Sequence, residues 1–103
     1  MDAHSLAICR ARARVLKALA HPTRLFIVDL LEETGDLCLR DLTARIGATG
    51  ATVSRHLALL KAAGIVQEEK RGAEVHNSLQ VRVDFGFFRC VERVLGRDSN
   101  RAP

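Results

Sequence analysis

Tryptophan and tyrosine are absent from the 103 residues, so all four aromatic side chains are phenylalanine. Cysteine is scarce: three residues, an odd number without close spacing, exclude a disulfide framework and point to a cytoplasmic chain with reduced thiols. No apolar run approaches the length of a membrane span. The start, Met1-Asp2-Ala3-His4, lacks a basic segment followed by an apolar one, so no export signal is expected. With two prolines and no repeat or linker, the length predicts a single domain over 1–103.

Hydrophobic residues are abundant, at 48% of the chain. A domain this small has too little interior to hold them all, so a buried face between copies is expected. The net charge of +4 suits a polyanionic partner without requiring one. Its distribution is uneven: residues 25–37 carry four acids and no base, whereas positive charge gathers on residues 1–24 and 38–72.

The stretch from Cys38 to Val66 predicts two short helices joined by a tight turn. Leu39, Leu42 and Ile46 form one apolar stripe, and Val53, Leu57 and Leu60 form a second at helical spacing. Gly47 permits the left-handed conformation that often ends a helix, and Thr49 offers a hydroxyl to cap the next one. The second helix turns Ala51, Ser54, Arg55 and Ala58 the other way, with no acid until Glu68. A phosphate-lined groove accepts such a surface, and a helix-turn-helix with the second helix reading double-stranded DNA is expected. Gly64-Ile65-Val66 then opens an extended run, Glu69-Lys70-Arg71-Gly72 makes a turn, and residues 74–79 return. This hairpin, about 66–80, predicts a wing that places Lys70 and Arg71 on the sugar-phosphate backbone. The fold expected is mainly α with a small β-hairpin, a winged helix-turn-helix.

A first helix is predicted over 5–20, with Leu6, Cys9, Ala13 and Leu16 on one stripe and Arg10, Arg14 and Lys17 on another. His21-Pro22-Thr23-Arg24 breaks it, proline being suited to the first turn of a new helix. That second helix runs to about Glu33, with Leu25, Val28 and Leu31 or Ile27, Leu30 and Leu31 inward. Leu37-Cys38-Leu39 suits a brief strand. A final helix is predicted over 82–96, with Phe87, Val91, Val94 and Leu95 on one face, joined by Phe88 and Cys90. Apolar helices at both ends predict a homodimer built from the first and last helices, ahead of a polar tail at 97–103.

Ala18-Leu19-Ala20-His21-Pro22-Thr23-Arg24-Leu25, Asp36-Leu37-Cys38-Leu39-Arg40-Asp41-Leu42, and Thr52-Val53-Ser54-Arg55-His56-Leu57 followed by Gly64-Ile65-Val66 resemble the ArsR/SmtB family. The likeness runs from about Val15 to Leu95. It implies a small dimeric winged-helix repressor that binds an inverted-repeat operator, and often one released by a metal or metalloid. Where that family has a Ser-Gln-Ser type tip on its reading helix, this chain has Thr49-Gly50-Ala51, which leaves Thr52, Ser54 and Arg55 as base-contact candidates. His56 matches its family position and is assigned to packing or phosphate contact.

The family's Leu-Cys-x-Cys-Asp-Leu-Cys motif is matched at Cys38 only, with Arg40 and Thr43 at the other two thiolate positions. Of its zinc motif, Asp84 matches, Gly86 replaces the histidine, and Arg97 and Asn100 stand where distal ligands are expected. A sensor therefore has to draw on Cys38, Cys9 and Cys90, and trivalent arsenic or antimony, or a soft divalent metal, is the inducer such thiolates select. Cys9 and Cys90 lie on apolar helical faces, where a free cysteine is commonly a small hydrophobe. Cys38 precedes a helix N-terminus and neighbours Arg40, which both favour a thiolate. The alternatives are a thiol-redox or ligand-independent repressor, and a winged-helix module that binds protein. An enzyme is not expected, because nothing supplies an oxyanion hole or a third orienting group beside Cys38 and His56 or His76.

Overall fold

A computed structural model describes residues 1–81 and 85–96, with side chains from residue 88 onward in the second stretch. The elements run α1 (Ala3–Leu19), α2 (Pro22–Thr34), β1 (Asp36–Cys38), α3 (Leu39–Ile46), α4 (Gly50–Ala62), β2 (Val66–Arg71), β3 (Glu74–Leu79) and α5 (Phe85–Leu95). This is the winged helix-turn-helix that periodicity predicts. The expected brief strand adds itself to the hairpin, giving a three-stranded antiparallel sheet in the order β1-β3-β2. In its register Cys38 faces His76 and Leu37 faces Asn77.

Local chemistry sets the element ends. His21 caps α2 by accepting the Thr23 N–H at Nδ1 (3.1 Å), with Pro22 in the first turn, where its missing N–H is no loss. Gly47 leaves α3 at φ 78°, and its N–H donates to the Thr43 carbonyl. Thr49 Oγ1 accepts the Thr52 N–H at 3.2 Å and starts α4.

The core gathers Ile27, Val28, Leu30 and Leu31 from α2, Leu42 from α3, Val53, Leu57 and Leu60 from α4, and Ile65 and Val66 at the entry to the wing. Each such side chain contributes about 1.5–3 kcal/mol by leaving water. Of the two inward sets proposed for α2, Ile27, Leu30 and Leu31 are all buried, whereas in the other Val28 and Leu31 are buried and Leu25 only packs against the edge of the core.

Lys70 and Arg71, expected in the turn, belong to β2, because the hairpin turns at Gly72-Ala73, where Gly72 has φ 63°. Helix α5 is described over Phe85–Leu95, and 82–84, with Asp84, lie outside the described residues, as do 97–103. Helix α1 spans Ala3–Leu19 and joins the core through Leu19, with Ala18 packed against it. Its apolar residues Ile8, Val15 and Leu16 stay 37–49% exposed. On α5, Val91, Val94 and Leu95 are exposed as well, while Phe88 packs against the core and Phe87 lies outside the described side chains.

Candidate nucleic-acid interface

The period of α4 separates two faces. Val53, Leu57 and Leu60 are buried, and Ala51, Ser54, Arg55 and Ala58 are exposed. The helix carries no acid, and no ion pair engages Arg55 among the described residues. Glu68, the first acid after the helix, is held by Lys61 Nζ at 2.6 Å, so its charge is matched where the reading helix meets β2.

Not every candidate side chain is equally available to a ligand. The Thr49 hydroxyl accepts from the Thr52 N–H and donates to Thr52 Oγ1 at 3.0 Å, which makes it a structural cap. Thr52 is half-buried and keeps its own hydroxyl proton for donation. Ser54 lines a cleft of about 230 Å³ between α4 and the wing, with Leu57, Lys61, Glu68 and Val75 among its other walls.

Strand alternation sends the two wing cations to opposite faces. Lys70 pairs with Val75 in the register and shares the face of Glu68, toward α4. Arg71 turns the other way. Its guanidinium lies 3.4 Å from Asp36 Oδ2 and 3.3 Å from Glu69 Oε2, so the structure spends on the sheet a charge expected on DNA. Asp36 also accepts a hydrogen bond from His76 Nδ1 at 2.9 Å. That bond, with Arg71 beside it, lowers the Asp36 carboxyl below its usual range.

His56 is half-buried at the flank of α4. Its ring lies against that of His21, centroids 4.4 Å apart, and Arg24 Nη1 approaches its Nδ1 at 3.4 Å. Burial lowers its pKa, and His21, Arg24 and Arg55 beside it lower it further. Linear spacing gives no reason to join His21 and Arg24 to this face. They reach it because α2 crosses the flank of the reading helix, and the sole signal in the chain is that the break between α1 and α2 is basic.

The three cysteines do not meet within one chain. Cys38 is buried at 5% exposure as the residue before α3, whereas Cys9 and Cys90 are exposed on the outer helices. Among the described residues no group of three His, Cys, Asp or Glu side chains is placed to hold a metal ion. Cys38 does line a shallow cleft of about 350 Å³ with Leu39, Arg40, Glu74 and Val75, where Arg40 pairs loosely with Glu74 (3.7 Å).

Residues 21–68, from the cap of α2 to the first turns of the wing, match the family described as "Bacterial regulatory protein, arsR family". Over 70 residues, 68% of this chain, the sequence is 41% identical to the arsenical resistance operon repressor of Escherichia coli (strain K12). The chain belongs to the ArsR family. The family so described is one of bacterial regulatory proteins. This ArsR-family chain is also 43% identical, over 67 residues or 65% of its length, to a cadmium resistance transcriptional regulatory protein CadC homolog of Staphylococcus aureus. It spans 60% and 55% of the lengths of those two relatives. A solved structure from Mycobacterium bovis, the homodimeric winged helix-turn-helix DNA-binding domain of a possible ArsR-family transcriptional regulator, is 28% identical. It superposes with a TM-score of 0.78, covering 93% of this chain and 88% of that one. No helix among the described residues is long and apolar enough to cross a membrane.

Proposed function

We propose that this ArsR-family chain is a DNA-binding transcriptional repressor that acts as a homodimer on an inverted-repeat operator in the cytoplasm. The observation that carries the reading is the outer face of α4. It is free of acid, holds Arg55 among small side chains with no ion pair among the described residues, and stands beside a wing whose Lys70 is exposed. Thr52, Ser54 and Arg55 reach for base edges, Thr49 holds the helix tip in shape, and Lys70 contacts phosphate. The homodimeric state of the relative supports a dimer, and the exposed apolar stripes of α1 and α5 are its interface in this reading. Two half-sites one helical turn apart then receive the two α4 helices. A gel shift with the DNA upstream of the chain's own coding sequence tests this against a protein-binding module. Retardation that survives excess non-specific DNA is expected, and its absence sinks the reading.

The inducer reading is finer: a thiophilic metal or metalloid, such as arsenite or antimonite or a soft divalent metal, releases the protein through cysteine thiolates. Its support is the kind of resistance served by the two relatives and the place of Cys38, which ends β1 and opens the helix that backs the reading helix. A single chain does not fit a three-thiolate ion, so Cys38 needs thiols from elsewhere in the dimer, with Cys9 and Cys90 the available ones. Loss of DNA affinity by a hundredfold requires about 2.7 kcal/mol of coupling. DNA release by arsenite, antimonite, cadmium and lead, and separately by oxidant, is compared in the unaltered protein and in Cys38→Ser. Release that ignores Cys38→Ser refutes the role of Cys38. Release by oxidant alone assigns a redox switch to the exposed thiols instead.

A further inference from the structure

We propose that His21, Arg24 and His56 form an oxyanion site at the flank of the reading helix, which takes a phosphate of the DNA backbone and binds one proton at His56 as it does so. This rests on the reading of the chain as a DNA-binding repressor.

Three cationic or cation-forming side chains converge here without a counter-ion among the described residues. The histidine rings lie 4.4 Å apart, and the guanidinium of Arg24 sits against one of them. An arginine only donates, so His56 Nδ1 accepts from Nη1 and the ring proton sits on Nε2. Arg24 Nε, buried next to this contact, has no hydrogen-bond partner among the described residues. A guanidinium in a folded protein usually finds a carboxylate, and this one is given a neutral imidazole.

Among the described residues the surroundings hold no acid that answers it. Helices α1 and α4 contain none. The first acid of α2 is Asp29, whose carboxyl is pushed up by burial and by Glu32, Glu33 and Glu92, a separate acidic cluster. On α3 the sole acid is Asp41, and the groups that act on His56 are His21, Arg24 and Arg55, none of them an acid. An imidazolium at His56 is therefore resisted by its neighbours in the free protein. A phosphate oxygen between Arg24 and His56 reverses that balance, because it gives the guanidinium an acceptor and the imidazolium a counter-charge. The anion and the proton then bind together, and each favours the other.

The sign follows from the linkage. The His56 midpoint is low in the free protein and rises in the complex. DNA affinity is accordingly greatest below the free midpoint, falls between the two midpoints about tenfold per pH unit for each subunit bound, and is level above the upper one.

The test follows the imidazole signals of His56 by NMR against pH, with inorganic phosphate raised at constant ionic strength, in the unaltered protein and in Arg24→Gln. In parallel, DNA affinity is measured across the same pH range for the unaltered protein and for His56→Gln. The expected result is a His56 midpoint that rises with phosphate and with DNA in the unaltered protein and stays put in Arg24→Gln. The affinity should slope with pH in the unaltered protein and lie level in His56→Gln. A midpoint indifferent to both anions, or a pH slope that survives His56→Gln, overturns the site. A rise with DNA and not with inorganic phosphate assigns the oxyanion to the backbone, as proposed. A rise with inorganic phosphate alone, in a protein that binds DNA, overturns the backbone assignment. A protein that binds no DNA at any pH refutes the repressor reading, and the phosphate titration still decides the oxyanion site.

Discussion

Arg71 Nη1 lies 3.4 Å from Asp36 Oδ2, which ties the end of β2 to the start of β1 past the central strand. The wing's last cation is thereby committed to the sheet, whereas Lys70, one residue earlier, alternates to the other face and is exposed. Lys70→Ala should weaken binding to all DNA sequences alike and lower the salt dependence by about one counterion. Arg71→Ala should change the salt dependence by much less. Equal slopes in affinity-against-salt plots for the two variants would contradict this division.

Arg55 stands on the open face of α4 and is assigned to a base edge. Arg55→Ala should cost about 1–3 kcal/mol on the operator and little on unrelated DNA. Loss of the same factor on both would reassign Arg55 to the backbone.

Asp36 gives the sheet a pH dependence. The hydrogen bond from His76, with Arg71 beside it, depresses its folded-state carboxyl, so its stabilising contribution is complete above the ordinary carboxylate range. It is lost as the pH falls through the depressed folded value. Urea midpoints of the unaltered protein should therefore drop between neutral pH and about pH 3 by more than those of Asp36→Asn. Parallel curves for the two proteins would remove Asp36 from the acid limb.

Asn77 is buried at 2% exposure, and its Nδ2 donates to the Leu37 carbonyl at 3.2 Å. Asn77→Ala should cost about 1–3 kcal/mol by leaving that oxygen short of a donor. Chemical denaturation with an unchanged m-value measures it, and a loss within error would mean that water replaces the amide.

What the chain makes legible is what neighbours decide. Gly47 and Thr49 lie within a few residues of the groups they satisfy, and the stripes of α3 and α4 repeat at helical spacing, so turn, cap and reading face are all visible in the string. Arg24 and His56 stand 32 residues apart, and Arg71 and Asp36 stand 35 apart. Such pairs exist only after helices have crossed and strands have taken a register, so Arg71 reads as a free wing cation and His21-Pro22-Thr23-Arg24 as a mere break. Cys38 is intermediate: its place before α3 is legible, its burial is not.

The outer helices carry the dimer expectation. Leu16→Glu on α1 or Val91→Glu on α5 should give a folded single chain with weakened operator binding, read by light scattering and circular dichroism. A mass of one chain for the unaltered protein would rule the interface out. So would a mass of two chains for both variants.

The sheet has two open edges, and they are guarded differently. On one side β1 is three residues long, too short to template another strand. On the other, every β2 residue after Val66 is exposed, and Gln67, Glu68, Glu69, Lys70 and Arg71 line it with charge of both signs. Such an edge is poorly suited to recruiting a strand from a second molecule. Self-association is thereby channelled to helical surfaces, and a protein concentrated along DNA keeps its sheets from fusing into fibrils.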